Sequence, residues 1–169
     1  MAFDNEIVQD FIQESESLTN ECIDLLEDLE SNVSEFKKLD SVGNKIDRIM
    51  GTAQNVQILY PEVKNFILIS DYAAICKVVA YKATAIQNNL PFVSVVVSFL
   101  IDAVETLQTL IVKCESPIQD LKAQFNPAFI DRLKWISEKF TDEYKGSVGL
   151  GRGGLNQTNI DDLLKKLGI

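Results

Sequence analysis

The run Phe11-Ile12-Gln13-Glu14-Ser15-Glu16-Ser17-Leu18-Thr19-Asn20-Glu21-Cys22-Ile23-Asp24-Leu25-Leu26-Glu27-Asp28-Leu29 spaces Phe11, Leu18 and Leu25 seven residues apart. With Val8, Cys22 and Leu29 added, apolar residues recur at intervals of three, four and seven, the period of a helix that buries one stripe. A first helix is therefore expected from Asp4 to Leu29. Its other faces are acidic: residues 1–36 hold eleven Asp or Glu and no Lys or Arg. Such a surface is either simply solvated or attractive to a basic partner.

A single amphipathic helix needs other helices to cover its stripe, and the chain supplies them. Proline lacks an amide hydrogen and suits the first turn of a helix, so Pro61, Pro91, Pro117 and Pro127 mark expected helix starts. A second helix is expected over Leu39–Leu59, with Ile46, Ile49, Ala53 and Val56 inward. A third runs from Pro61 to about Asn88, a fourth from Pro91 to about Cys114, and these two carry most of the core. Asn126-Pro127 caps a fifth that reaches about Tyr144, with Phe129, Leu133, Ile136 and Phe140 inward. No stretch alternates with the period of a strand. The expected fold is all-α, an antiparallel four-helix bundle with an additional fifth helix.

Glycine divides the chain. Only Gly43 and Gly51 lie in the first 145 residues, whereas six glycines fall in the last 24. The expected organisation is a helical bundle over 1–145, a flexible glycine-rich linker over 146–154 and an amphipathic helix over 155–169. In that last segment Ile160, Leu163, Leu164 and Leu167 fall at i, i+3, i+4 and i+7, with Asp161 and Asp162 near its start and Lys165 and Lys166 near its end. So short a helix is not stable alone and needs a surface to fold on.

Composition removes several function classes. The 169 residues are 46% apolar and 24% charged, with a net charge of −9, which disfavours nucleic acid and anionic membrane as partners. There is no histidine, so imidazole general bases, His-dependent nucleophile pairs, His-ligated zinc and phosphohistidine are all excluded. Cys22, Cys76 and Cys114 are odd in number and widely spaced, and read as reduced core thiols rather than metal ligands. No signal peptide is visible, and the apolar run from Leu90 to Ile101 is interrupted and ends at Asp102, short of a bilayer span. A cytoplasmic protein that binds no metal or cofactor is expected.

Along the second helix Asp40, Asn44, Asp47, Gly51 and Gln54 step by 4, 3, 4 and 3, forming one polar line opposite the apolar stripe. With the first helix, this stretch resembles the histidine phosphotransfer domains, in particular that of the chemotaxis kinase CheA. That family carries His-x-x-Lys-Gly-Ser on its second helix, where this chain has Asp47-Arg48-Ile49-Met50-Gly51-Thr52. The glycine and the small hydroxyl residue are kept. Asp47 stands in place of the phosphorylated histidine and Met50 in place of the lysine. The resemblance covers about residues 3–115 and implies a face, including Met50 and Gly51, that docks a response-regulator receiver. A bare glycine lets a docked protein approach the helix backbone. With no imidazole, phosphorelay is excluded even on that fold.

The end of the chain is similar to the C-terminal peptide of the chemotaxis phosphatase CheZ, which finishes in Asp-Asp-Leu-Leu-x-x-Leu-Gly; here the match is Asp161-Asp162-Leu163-Leu164-Lys165-Lys166-Leu167-Gly168. The frame Leu155-x-Gln157-x-x-Ile160-Asp161-x-Leu163-Leu164 also resembles the N-terminal peptide of the flagellar switch protein FliM. Both families hold the response regulator CheY with these peptides, which implies partner-binding roles for Ile160, Asp161, Leu163, Leu164 and Leu167.

Two resemblances thus converge on one partner, a CheY-type receiver that carries its own Mg2+. The CheZ pattern Asp-x-x-x-Gln, whose amide orients the attacking water and whose acid engages a receiver lysine, is approached by Asp40-Ser41-Val42-Gly43-Asn44, with Asn in place of Gln. Gln54 is the other candidate amide, and Asp47, between the two amides on the same line, joins Asp40, Asn44 and Gln54 as a candidate catalytic residue. The expectation is a chemotaxis protein that promotes dephosphorylation of phospho-CheY. The alternative is a non-catalytic adaptor that sequesters or localises CheY, and a third reading is a homodimer with no receiver partner.

Overall fold

The computed structural model describes residues 5–143, 162 and 164–168. The described chain is all-helical: α1 Asn5–Ser31, a 3-10 helix Val33–Lys38, α2 Leu39–Leu59, α3 Lys64–Ala83, α4 Leu90–Val112, α5 Ile118–Lys122 and α6 Pro127–Glu143. No strand occurs among the described residues. The four long helices close a ring, α1 packing on α2 and α4, and α3 on α2 and α4; α5 lies on α3 and α6 on α4.

α1 buries Val8, Phe11, Ser15, Leu18, Cys22, Leu26 and Leu29, a spacing of three or four throughout. Of the adjacent pair Leu25 and Leu26, the inward leucine is Leu26; Leu25, expected in the stripe, is half-buried at its edge. Strict sevens drift round a 3.6-residue helix, and the step from Cys22 to Leu26 corrects the drift. α2 matches its expected limits, with Ile46, Ile49, Ala53 and Val56 buried as anticipated. In α6 Phe129, Leu133, Ile136 and Phe140 are buried, and the Asn126 side chain accepts a hydrogen bond from the Phe129 amide at 2.8 Å. Asn89 caps α4 in the same way, accepting from the Phe92 amide at 3.1 Å.

Two boundaries differ from the sequence expectation. α3 begins at Lys64 rather than Pro61, because Tyr60 to Val63 form a turn closed by the Val63 amide donating to the Tyr60 carbonyl at 3.0 Å. It ends at Ala83 rather than Asn88, whose φ of 57° belongs to the left-handed region. The 3-10 helix before α2 has no counterpart in the sequence reading. Pro117 opens only the five-residue α5.

Buried polar groups tie α3 to α4. The Tyr72 hydroxyl donates to the Ala103 carbonyl, and the Asn65 amide donates to the carbonyls of Cys114 and Ser116, each at 2.7 Å. The three cysteines are free and buried. α4 is the one described helix long and apolar enough to cross a membrane by length and composition, yet half of its apolar window is buried within the protein. Asp102 on the same helix forms an ion pair with Arg132 of α6 at 2.6 Å.

Candidate functional site

The polar line of α2 runs beside α3. Asn44, Asp47 and Gln54 are exposed, while Asp40 and Gly51 are half-buried. α3 contributes Lys77 and Tyr81, four residues apart and so on one face of that helix. The Lys77 ammonium donates to Asp47 Oδ1 at 3.0 Å, and the Tyr81 hydroxyl donates to Asn44 Oδ1 at 2.7 Å. The Tyr81 bond takes one lone pair of the Asn44 oxygen, leaving a second lone pair and two amide N–H donors for a visitor.

Gly43 makes this arrangement possible. It is buried in the second turn of α2, and a Cβ placed there would lie 2.3, 2.6 and 2.9 Å from Cε1, Cδ1 and Cζ of Tyr81. The tyrosine ring occupies the space that any other residue would fill. At Gly51, by contrast, an added Cβ meets nothing within 4 Å. The two helix glycines therefore play different parts: one seats a neighbouring ring, and the other leaves open surface where the resemblance implies docking. Met50 is half-buried and packs in part against the core.

The basic residues of α2 turn the other way. Arg48 pairs with Glu14 and Lys45 with Glu21, the latter at 2.7 Å, and both acids belong to the acidic face of α1. Thr52 donates its hydroxyl back to the Arg48 carbonyl at 2.9 Å. Asn44 and Asp47 are consequently brought together with two α3 side chains, whereas Gln54 is not. Ten residues separate Gln54 from Asn44, about 15 Å along the helix axis, so the two amides cannot serve one reacting phosphoryl group.

Lys77 and Tyr81 are the members that sequence reasoning missed. Their signal in the sequence was Gly43 itself, a glycine inside an expected helix, which costs stability unless something needs its room. Sequence reading credited that need to Gly51 and treated Gly43 as a spacer. Among the described residues no group of three or more His, Cys, Asp or Glu is placed to hold a metal ion.

Of the expected C-terminal binding residues, Ile160, Asp161 and Leu163 lie outside the described residues, as does the stretch 146–154. Leu164 and Leu167 are described, each 4% exposed and joined to the core of the body. The helix there ends at Lys166 and passes into a turn at Leu167 and Gly168, where the Gly168 φ of 80° is a glycine C-terminal conformation.

Fold and face define an all-helical protein with a polar strip at the α2–α3 edge, built from carboxylates and an amide held from the neighbouring helix. No known family, curated protein or solved structure matches the chain.

Proposed function

We propose that this chain is a chemotaxis signalling protein that docks a CheY-type receiver on the α2–α3 edge of a four-helix, phosphotransfer-like bundle and speeds hydrolysis of the receiver's aspartyl phosphate. The observation that carries the reading is the Asn44 amide, exposed on α2 and held by the Tyr81 hydroxyl at 2.7 Å. A fixed amide lowers the cost of ordering a water for in-line attack, since its remaining lone pair accepts from the water and its N–H groups direct the geometry. Asp40, four residues earlier, stands where the acid of an acid-x-x-x-amide pair stands, and its partner on the receiver is the active-site lysine. Asp47 is not a phosphoryl carrier in this scheme. Its carboxylate is tied to Lys77 and, with no histidine in the chain, the bundle has no relay group.

In this mechanism the receiver supplies the phosphoryl group and the Mg2+ that screens its charge. The water attacks phosphorus, the bond to the receiver aspartate breaks, and inorganic phosphate leaves. This chain contributes orientation and remains unmodified. Gly51 offers the approach of a receiver backbone to α2, supported by the open space above it. The leucines of the C-terminal helix supply the second hold, and a tethered second contact raises the effective concentration of the first into the millimolar range.

The test follows phosphate release from a phosphorylated CheY-type receiver with and without the protein. Acceleration that Asn44→Ala abolishes and Gln54→Ala spares is expected. An unchanged decay rate with retained binding would replace the phosphatase reading by the adaptor. Absence of binding to any receiver would remove both.

A further inference from the structure

The C-terminal helix is already occupied. Leu164 and Leu167 are almost fully buried, while Asp162, Lys165 and Lys166 on its other side are exposed. Leu167 and Gly168 line a cavity of about 380 Å3 together with Phe125, Pro127 and Ile130, with Lys122 and Asp131 at its rim. α3 contributes Asp71: burial pushes its carboxyl above the ordinary range, and the nearby charge of Lys166 pulls it back. An apolar wall inside a rim of mixed charge thus meets a helix with two leucines on one side and two lysines on the other. A segment too short to hold a helix alone is helical here because the body supplies the surface.

Leucines buried against the body are not available to a second protein. We infer that the surface formed by α3, α5 and the start of α6 is an internal docking site for the chain's own C-terminal helix, and that a receiver competes with it for Leu164 and Leu167. This rests on the proposed reading of that helix as a receiver-binding element. The consequence is a guarded tether: the helix reaches a receiver only in the fraction of molecules where it has left its seat, and the apparent dissociation constant exceeds the intrinsic one by the reciprocal of that fraction. When the helix transfers, the cavity beside Phe125 and Ile130 opens, so receiver capture is coupled to exposure of an apolar surface on the body.

The two sides of this contact carry opposite signs in a binding experiment on the full chain. Phe125→Ala or Asp131→Arg damages the seat and leaves the residues of the helix itself unchanged, frees the helix, and is expected to tighten receiver binding by about threefold to tenfold. Because Phe125 also packs on Tyr72, 5.3 Å between ring centres, the exposed Asp131→Arg is the decisive variant. Leu164→Asp or Leu167→Asp damages the helix itself and is expected to weaken binding by about tenfold or more. If the seat-side variants leave affinity unchanged or weaken it while the helix-side variants weaken it, the competition is refuted and the receiver reading stands. If neither side alters affinity, the receiver reading of the helix fails. Docking is then judged alone by amide hydrogen exchange of residues 164–168 without any receiver. Protection that Phe125→Ala and Asp131→Arg both reduce supports the seat, and exchange at free-peptide rates in the unaltered chain overturns it.

Discussion

Replacing Gly43 by alanine separates two opposing effects whose sizes can be set in advance. Alanine in a helix interior is favoured over glycine by about 1 kcal/mol. At Gly51, where nothing lies within 4 Å of the added Cβ, that gain is expected in full. At Gly43 the new carbon falls 2.3 Å from Cε1 of Tyr81, against a usual carbon–carbon contact of about 3.5–4.0 Å. The ring must retreat by more than about 1 Å, and overfilling of this kind costs about 1–3 kcal/mol. Gly43→Ala is therefore expected to be neutral to about 2 kcal/mol destabilising, and Gly51→Ala about 1 kcal/mol stabilising. Urea unfolding measures both; for a chain of this size each kcal/mol moves Tm by about 2–4 °C. The retreat also pulls the Tyr81 hydroxyl off Asn44, so the loss of stability is accompanied by loss of the fixed amide. A Tyr81→Ala background removes the obstacle, and there Gly43→Ala should recover its stabilising gain. Equal stabilisation by Gly43→Ala and Gly51→Ala in the unaltered background would refute the seating of Tyr81 on Gly43.

Further outcomes follow from the buried groups. Lys82 is buried with its ammonium 5.9 Å from the centre of the Phe140 ring, and burial lowers its pKa below the ordinary 10.5. Between that lowered value and 10.5 the unfolded chain binds more protons than the folded one, so stability rises with pH across the interval. Lys82→Met keeps the length and drops the charge. It is expected to be more stable than the unaltered chain at pH 7, by a margin that shrinks towards pH 10.5; a margin constant between pH 7 and 10 would count against the burial cost. Burial pushes the thiols of Cys22, Cys76 and Cys114 up to about 12. All three should resist a disulfide reagent at pH 8 in the native protein and react together in guanidinium, and rapid reaction of any one in the folded state would contradict the packing.

What was legible in the sequence follows its local periods. α2 and its inward residues were read directly, because Ile46, Ile49, Ala53 and Val56 repeat at helical spacing and polar residues fill the rest. α6 was legible for the same reason, helped by the cap at Asn126. The interior of α1 was read one residue off at Leu25, since two adjacent leucines offer the same pattern and only neighbouring helices choose between them. Pro61 misled because proline is equally at home in a turn and at a helix start.

The site was half visible. The line from Asp40 to Gln54 could be drawn on paper, but nothing along it distinguished Asn44 from Gln54 as the useful amide. The distinguishing groups lie on another helix: Tyr81 is 37 residues from Asn44, and Lys77 is 30 from Asp47. Such distances carry no period.

By itself the amino-acid order determined that the chain folds as helices and that imidazole chemistry is absent, because helical periodicity and composition are properties of neighbouring residues and of counts. Tertiary structure alone decided which polar side chain of α2 is held, and that Leu164 and Leu167 lie against the body. Both depend on which apolar faces meet, and that is settled by the joint packing of distant segments, where a ring over a glycine or a leucine in a cleft gains its place from atoms far away in the chain.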